Sequence, residues 1–263
     1  MRAKVFTTMI KGESYDLWIS DEPEFIRECV GQRIPVIEYT HDDTVGNDRG
    51  TADMHCSALD GFLTPWATDS VDAVKNDPEY MKKVVHRFAG VPLTVAETNV
   101  LIIRELCESD VESVERIFAE GSISGFTDIW AENKDDKKEA LREYCRLHYD
   151  LYGYGYYGIE IKGDSDIIGV IGFREYVEQT KIGEEYLCFE IKGMDSGLSP
   201  LELGYVMGEK YRRKGYCVAA CRELIKKMPG DIFILVDRNN IPGVKTAKRI
   251  SVQTDIFDSD SSA

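Results

Sequence analysis

The residues with the clearest chemical potential lie in one segment, residues 201–228, which reads LELGYVMGEKYRRKGYCVAACRELIKKM. Its first part alternates in polarity as a half-buried strand does, a short basic loop follows, and Gly215 introduces an amphipathic helix. Such a turn gathers free backbone N–H groups and the positive end of the helix dipole at one place, where a phosphate group can bind. The side chains of Arg212, Arg213 and Lys214 add positive charge there. The segment therefore predicts a phosphate-binding turn.

Two better-known phosphate loops do not fit the sequence. There is no G-x-x-x-x-G-K-[ST] for a nucleoside triphosphate, and no G-x-G-x-x-G that follows a predicted strand for a dinucleotide. Taken alone, a basic turn before a helix is equally compatible with a solvated surface loop.

Residues 212–217, Arg-Arg-Lys-Gly-Tyr-Cys, resemble the [QR]-x-x-G-x-[GA] signature of the GNAT N-acetyltransferase superfamily, with cysteine as the last residue. Residues 232–237 (IFILVD) resemble the fifth strand of that family, and Asn240 with a predicted helix over 243–250 resembles the asparagine-headed motif that follows it. Upstream, LIIREL with a capped helix and IIGVIGF resemble the opening strand and helix and the third strand. The resemblance spans residues 98–252 and is nearest to the branch that includes ribosomal-protein amino-terminal acetyltransferases.

The resemblance implies an α/β (α+β) fold with a central mixed, mostly antiparallel sheet flanked by helices, and acetyl-CoA as the cosubstrate. It implies that free N–H groups on a splayed fourth strand, at Tyr205, Val206 and Met207, grip the pantetheine and the thioester carbonyl. Asn240 would contact the pantetheine arm or order a water molecule. The pyrophosphate would be held by the N–H groups and side chains of Arg212, Arg213, Lys214, Gly215, Tyr216 and Cys217.

Acetyl transfer to an amine needs a neutral nucleophile and a proton for the departing thiolate. Glu202 is the candidate general base, because alternation places it on the strand face opposite to Leu203 and Tyr205. A surface carboxylate without a catalytic role explains Glu202 equally well. Tyr205 and Tyr211 are the candidate general acids, although each is also compatible with an aromatic residue that only packs.

The chain departs from the family pattern near its end. Gly243 stands where many members have serine, and Ala247 stands where many have a tyrosine that acts as the acid. The leading interpretation is an N-acetyltransferase in which a primary amine, on a small molecule or a peptide amino terminus, attacks acetyl-CoA directly. The alternative that these departures motivate is a catalytically degenerate acetyl-CoA-binding protein that regulates or senses.

Tyrosines interleaved with glycines follow the second helix of this part of the chain, at Tyr149, Tyr152, Tyr154, Tyr156 and Tyr157. In the family this region borders the acceptor site, so the resemblance implies an aromatic wall around the amine. Core packing explains these tyrosines equally well. Trp130 precedes that helix, and a lid at Trp130 is a further hypothesis.

The sequence predicts two domains, a small amino-terminal α/β unit over residues 1–95 and the acetyltransferase domain over 96–263. In the first, strands over 15–19 and 34–39 flank a helix for which Asp21 is the predicted cap. The joining sequence, residues 86–106, resembles bacterial members of the family that carry an extra amino-terminal α/β segment. The unit is interpreted as a packing or dimerising appendage, so a homodimer stays open. A phosphorylated receiver-like or phosphatase-like domain is the alternative, with Asp21 after a strand as its support.

The composition narrows the classes of partner. A formal net charge of −15 disfavours nucleic acid and anionic membranes, and favours neutral or cationic partners. No run approaches the roughly 18 apolar residues that span a bilayer, and no signal peptide is evident, so a cytoplasmic location is expected. The 7 cysteines are scattered and predict reduced thiols. His55 and Cys56 form the one faint ligand pair, and no metal is expected.

Overall fold

The structure, a computed structural model, describes residues 2–39, 66–120, 136–176, 185–191, 199–228 and 230–251. The hypotheses about Trp130, His55 and Cys56 lie outside these residues. The chain divides into two compact units, Met1–Leu93 with Asp150–Gly153 and Thr94–Tyr149 with Tyr154–Ala263.

The first unit contains a four-stranded sheet in the order β1-β2-β3-β4. Its strands are β1 (Arg2–Ile10), β2 (Glu13–Ser20), β3 (Val36–Tyr39) and β4 (Ala67–Thr68). Its helices are α1 (Pro23–Gly31), α2 (Val71–Lys75) and α3 (Pro78–Ala89). The β1 and β2 strands are antiparallel, whereas β2, β3 and β4 are parallel to one another.

Two features of this unit differ from the sequence prediction. The strand β1 was not predicted, and it pairs with β2 through a turn at Lys11 and Gly12, whose φ angles are 50° and 87°. The predicted cap at Asp21 is wrong, because α1 has Glu22 at its N-cap position and no side-chain cap. Instead, the amide of Glu22 donates to the buried Ser20 hydroxyl at 3.1 Å.

The second unit is built on a seven-stranded sheet in the order β5-β6-β7-β8-β10-β11-β9. Its strands are β5 (Thr94–Glu97), β6 (Leu101–Glu105), β7 (Tyr156–Ile161), β8 (Ile167–Glu175), β9 (Tyr186–Ile191), β10 (Leu201–Met207) and β11 (Ile232–Asp237). Of the neighbouring strands, only β10 and β11 are parallel. The predicted mixed, mostly antiparallel sheet is therefore confirmed.

Helices flank this sheet, as predicted. They are α4 (Val111–Ala119), α5 (Lys137–Cys145), α6 (Tyr216–Ile225) and α7 (Ile241–Ser251), and a π-helical segment, Arg146–Tyr152, follows α5. The α6 helix buries Val218, Cys221 and Leu224, the apolar face that the sequence pattern indicates. Cys221 is therefore a small core residue.

Strand β9 has an unexpected position. It comes from the segment between β8 and β10, yet it lies at the far edge of the sheet and pairs antiparallel with β11 along all of Ile232–Asp237. As a result, β11 is enclosed between β10 and β9. The other edge strand of the sheet is β5, the first strand of this unit.

A buried charge cluster fixes the start of α4. The Arg104 guanidinium donates to both carboxylate oxygens of Asp110, at 2.7 and 2.9 Å, and to Glu160 at 2.6 Å. Asp110 also accepts from the amide of Cys107 at 2.8 Å. The chain makes a 3-10 turn at Glu108–Asp110 before α4 begins, so this cluster ties the helix start to β6 and β7.

No helix within the described ranges is both long enough and apolar enough to cross a membrane.

Candidate cofactor-binding site

The parallel strands β10 and β11 are paired only where they begin. Leu201 pairs with Ile232 and Glu202 with Phe233, and no later pair forms between these two described strands. Strand β10 continues to Met207 and remains paired with β8 along its whole length. The two strands therefore diverge after Glu202 and leave a V-shaped opening in the middle of the sheet.

Backbone amides of β10 face this opening. The amide of Gly208 donates to Ile168 on the β8 side at 2.9 Å. Because successive amides in a strand point to opposite sides, the amide of Val206 also faces β8, whereas those of Tyr205 and Met207 face the opening. The prediction of three free amides is corrected accordingly, since the β8 ladder uses that of Val206.

The wide end of the opening meets the start of α6. Gly215 precedes that helix with a φ of 83°, and Arg213 has a φ of 63°, which is uncommon for a residue other than glycine. The first turn of α6 has neither a side-chain cap nor an acidic residue. Among the described residues, the amides of residues 213–218 have no hydrogen-bond acceptor. Such a group of free amides at a helix start forms a concave site for an anion.

Arg212 holds this turn in place with its side chain. Its Nε donates to the carbonyl of Met207 at 2.9 Å, and its Nη2 donates to the carbonyl of Glu120, just after α4, at 3.1 Å. The Glu120 carboxylate in turn accepts from the amide of Glu209 at 2.7 Å. Arg212 was predicted to bind the pyrophosphate, but the structure gives its guanidinium a role in fixing the loop.

The other cations of the turn are exposed. The side chain of Arg213 forms no hydrogen bond or ion pair with another described residue, and Lys214 lies over the ring of Tyr211 at 5.4 Å from its centroid. These two side chains can therefore reach an anion at the start of α6. Their exposure limits the strength of each contact, because water screens the charges.

Comparing Arg212→Met with Arg213→Met separates these two roles. Arg212→Met removes two hydrogen bonds to backbone carbonyls, so we expect a loss of about 1–2 kcal/mol in the free energy of unfolding and about tenfold weaker acetyl-CoA binding. Arg213→Met should leave unfolding unchanged within about 0.5 kcal/mol and weaken binding about threefold. Urea denaturation and calorimetric titration with acetyl-CoA measure both quantities. Equal stabilities for the two variants would contradict the assignment.

Tyr205 joins β10 to α7 across the opening. Its hydroxyl donates to the carbonyl of Gly243 at 3.0 Å, and burial raises the pKa of that hydroxyl. The carboxamide oxygen of Asn240 accepts from the amide of Gly243 at 3.0 Å and so caps α7. A Cβ at Gly243 would lie 2.6 Å from the Asn240 side chain, which explains the glycine at this position. The Tyr205 hydroxyl is therefore a structural link and a poor general acid.

Glu202 lies at the narrow end of the opening. It is on the opposite face from Leu203 and Tyr205, as predicted, but with 7% exposure it is not a surface residue. Both of its carboxylate oxygens accept from Arg174 on β8, at 2.8 and 3.0 Å. Sequence reasoning missed Arg174 because only the antiparallel register of β8 and β10 brings the two side chains together.

The predicted catalytic residues do not form one cluster. Tyr211 lies at the wide end, in the turn after β10, where it lines a small cleft with Arg116, Glu120 and Lys210. From Glu202 the strand runs about 16 Å to its last residue, at roughly 3.3 Å per residue. Tyr211 is therefore too far from Glu202 to share a proton-transfer step with it.

The predicted cofactor residues are brought together more closely. Tyr216 and Cys217 are the first two residues of α6, beside Gly215, and both are partly buried. Asn240 is exposed at the start of α7, at the end of β11. Two helix starts therefore border the opening at the carboxyl ends of parallel strands, where ligands of α/β proteins commonly bind.

Most of the tyrosine cluster belongs to the core. Tyr149, Tyr156 and Tyr157 are each buried. The Tyr149 hydroxyl accepts from the amide of Leu106 at 3.0 Å and donates to the carbonyl of Tyr156. An aromatic wall built from these three side chains is therefore not formed, while Tyr152 is exposed.

The second unit of the chain matches a known protein family over most of its length. Residues 100–253 match the model of the acetyltransferase (GNAT) domain, which covers every described element from β6 to α7. No curated protein matched the sequence.

Three solved structures illustrate the similarity. A GNAT-family acetyltransferase from Bacillus anthracis is 19% identical, with 59% of this chain and 81% of that chain covered and a TM-score of 0.41. A ribosomal-protein-S5-alanine acetyltransferase from Vibrio fischeri is 16% identical, with 61% and 81% covered and a TM-score of 0.40. An acetyltransferase from Agrobacterium tumefaciens is 20% identical, with 60% and 81% covered and a TM-score of 0.39.

Proposed function

The chain belongs to the acetyltransferase (GNAT) family, and from this premise we propose that it transfers the acetyl group of acetyl-CoA to a primary amine by direct attack. The observation that carries the proposal is the divergence of β10 and β11 after Glu202 and Phe233. It leaves two strand amides that can bind the amide and carbonyl oxygens of an extended pantetheine thioester. The acceptor is a small-molecule amine or a peptide amino terminus.

The residues around the opening fit acetyl-CoA. Free amides at the start of α6 suit the pyrophosphate, and Arg213 and Lys214 add positive charge beside it. The amides of Tyr205 and Met207 suit the pantetheine arm and the thioester carbonyl, where negative charge grows as the amine attacks. The site thus offers donors from one end of the cosubstrate to the other.

The proposed transfer needs a group that takes the proton of the attacking amine, and Glu202 is the candidate. Its ion pair with Arg174 fixes the position of the carboxylate at the narrow end of the opening. Because both oxygens already accept hydrogen bonds from Arg174, fewer of their lone pairs are left to accept the proton of the amine. We therefore place its contribution at the low end of general-base catalysis, and proton transfer through water remains part of the proposal.

Glu202→Gln and Arg174→Met test this assignment as a pair. We expect each to lower kcat/KM about tenfold, since each breaks the same ion pair, and the double variant to lose little more. Steady-state kinetics at saturating acetyl-CoA measures the three variants. A loss of about 100-fold or more for Glu202→Gln alone, with Arg174→Met close to the parent, would show instead that Glu202 is a strong general base.

The proposed function is tested by binding and turnover together. Acetyl-CoA should raise the melting temperature, and thioester cleavage should depend on an added amine from a panel of polyamines, aminoglycosides, amino acids and short peptides. Gly243 and Ala247, which replace the residues that many members use, favour a second candidate, a protein that binds acetyl-CoA without turnover. Binding without cleavage on any amine would select that second candidate. Absence of binding would contradict both.

The same proposal includes a cytoplasmic location. The described cysteines, Cys29, Cys107, Cys145, Cys188, Cys217 and Cys221, are all free thiols, as proteins of a reducing compartment typically have.

A further inference from the structure

We infer that the acceptor is a primary amine on an apolar body without a neighbouring carboxylate, and that this body packs on one face of β9 and β11. The inference rests on the proposed function and specifies its substrate class. The face in question, which we call the amine floor, consists of Tyr176, Cys188, Glu190, Phe233 and Leu235. It begins where the V-shaped opening begins.

The strand register places the amine floor on the same side of the sheet as Glu202. Glu202 pairs with Phe233, and Phe233 pairs in turn with Glu190. Because side chains at paired positions share a face, these three form one row across β10, β11 and β9. The row below it contains Leu235 and its partner Cys188. The floor is thus continuous with the narrow end of the opening.

The opposite face of the same strands is already covered. Ile232, Ile234 and Val236 are buried with α7 in the main core. On the amine floor, by contrast, Phe233 and Leu235 are only half-buried. Among the described elements, α7 is the one helix in extensive contact with β9 or β11, and it packs on the other side. The floor therefore offers apolar surface beside the reaction centre.

An aromatic side chain borders this surface. Tyr176, just after β8, stacks on Phe233 with 4.1 Å between ring centroids and 21° between ring planes. Its hydroxyl lies 4.0 Å from the Cys188 thiol, and burial raises the pKa of that thiol, so it stays neutral. An aryl or branched alkyl group can pack against this pair of rings, with a gain that follows the apolar area buried.

The charges on the amine floor disfavour an acceptor that carries a carboxylate next to its amine. The Arg174 guanidinium is balanced by Glu202, whereas Glu190 is exposed on the floor, and its carboxylate forms no hydrogen bond or ion pair with another described residue. Glu190 therefore attracts an approaching ammonium group and repels a carboxylate on the same molecule. This favours phenethylamine over phenylalanine, although both carry the same ring and amine. Phenylalaninamide and a peptide amide with an amino-terminal phenylalanine should also be accepted, because an uncharged amide replaces the carboxylate in both.

The test compares kcat/KM for phenethylamine, phenylalanine, phenylalaninamide and glycinamide at saturating acetyl-CoA. We expect kcat/KM for phenethylamine and for phenylalaninamide to be at least tenfold higher than for phenylalanine and for glycinamide. The burial of a few methylene groups, or the repulsion of one carboxylate, can produce a ratio of this size. Comparing kcat/KM for the peptide amide with that for phenethylamine shows whether the preferred amine belongs to a peptide amino terminus or to a small molecule. Equal rates for glycinamide and phenethylamine would overturn the apolar floor.

Variants locate the effect. Phe233→Ala should raise KM for phenethylamine about tenfold and leave KM for acetyl-CoA unchanged, and Phe233→Leu should recover most of the loss. Glu190→Gln should raise kcat/KM for phenylalanine towards that for phenylalaninamide. Val100→Ala and Glu79→Gln, both at exposed positions that are not part of the floor, are the matched controls. A Glu190→Gln variant that still rejects phenylalanine would overturn the role of the charge.

A binding measurement separates this inference from the proposed function. Phenethylamine should bind the protein saturated with CoA, as measured by calorimetry, and Phe233→Ala should weaken that binding. Turnover of polar amines alone would overturn the floor while supporting the proposed function. Binding of phenethylamine without any turnover would support the floor and contradict the proposed catalysis. Neither binding nor turnover of phenethylamine would overturn the inference outright.

Discussion

Gly215→Val should weaken acetyl-CoA binding about 100-fold, which corresponds to about 2.7 kcal/mol. A control variant at another glycine should lose nearly the same free energy of unfolding and still bind acetyl-CoA normally. Gly215 has a φ of 83°, where a β-branched residue is strained by at least 1–2 kcal/mol, roughly the cost of the left-handed region. The chain relieves that strain by moving the backbone at the start of α6. The amides of Tyr216 and Cys217 then no longer converge, and about two charge-assisted hydrogen bonds to a pyrophosphate are lost.

The control is Gly163→Val. Gly163 has a φ of 90° in the turn between β7 and β8, and an added Cβ at either glycine would meet no atom within 4 Å. The two substitutions therefore impose the same kind of strain without a clash, at different places. Calorimetric titration with acetyl-CoA and urea denaturation of both variants give the comparison. If Gly215→Val bound acetyl-CoA as well as Gly163→Val does, the turn before α6 would not be the pyrophosphate site.

The turn before α6 could be predicted from sequence because its determinants are local. Alternation in β10, the basic loop and Gly215 follow one another within one segment, and each specifies its own backbone conformation. Strand β11 and helix α7 could be predicted for the same reason, and Asn240, which caps α7, lies between them in the sequence. Local signals of this kind predict the conformation of the turn before α6 even when the rest of the sheet is unknown.

Side-chain roles within that turn could not be predicted, because their partners are distant in the chain. Arg212 donates to the carbonyl of Glu120, and Glu202 accepts from Arg174, 28 residues away. Both contacts depend on the order and register of strands, which no local pattern encodes. The sequence identifies charged residues near the site correctly but cannot tell a ligand contact from an internal one.

Strand β9 shows the same limit at the level of topology. The strand covers Tyr186–Ile191, in the segment between β8 and β10. Its place beyond β11 depends on the path of the chain between β8 and β10, and sequence periodicity carries no information on that path. The strand β1 was missed for a different reason, since a bulge between Lys4 and Phe6 breaks the period of two on which strand prediction depends.

Arg104→Met should lower the free energy of unfolding by about 4 kcal/mol. The side chain of Arg104 is 13% exposed, and those of its partners Asp110 and Glu160 are 5% and 12% exposed. Removing the guanidinium leaves two carboxylates in a poorly solvated place, where desolvation is no longer offset by an opposite charge. It also frees the start of α4, and Glu120 at the other end of this helix accepts a hydrogen bond from Glu209 in the loop before α6. Urea denaturation measures the loss.

Arg142→Met provides the control, because Arg142 also pairs with two carboxylates, Glu108 and Glu139. Its side chain is 55% exposed, so water solvates the carboxylates once the guanidinium is gone, and we expect a loss below about 1 kcal/mol. A similar loss in both variants would mean that burial does not set the energy of the Arg104 cluster. If the large loss is confined to Arg104, acetyl-CoA binding should weaken with it, since the cluster and Glu120 act on opposite ends of one helix. We therefore expect the stability of the core and the position of the turn before α6 to change together, through α4.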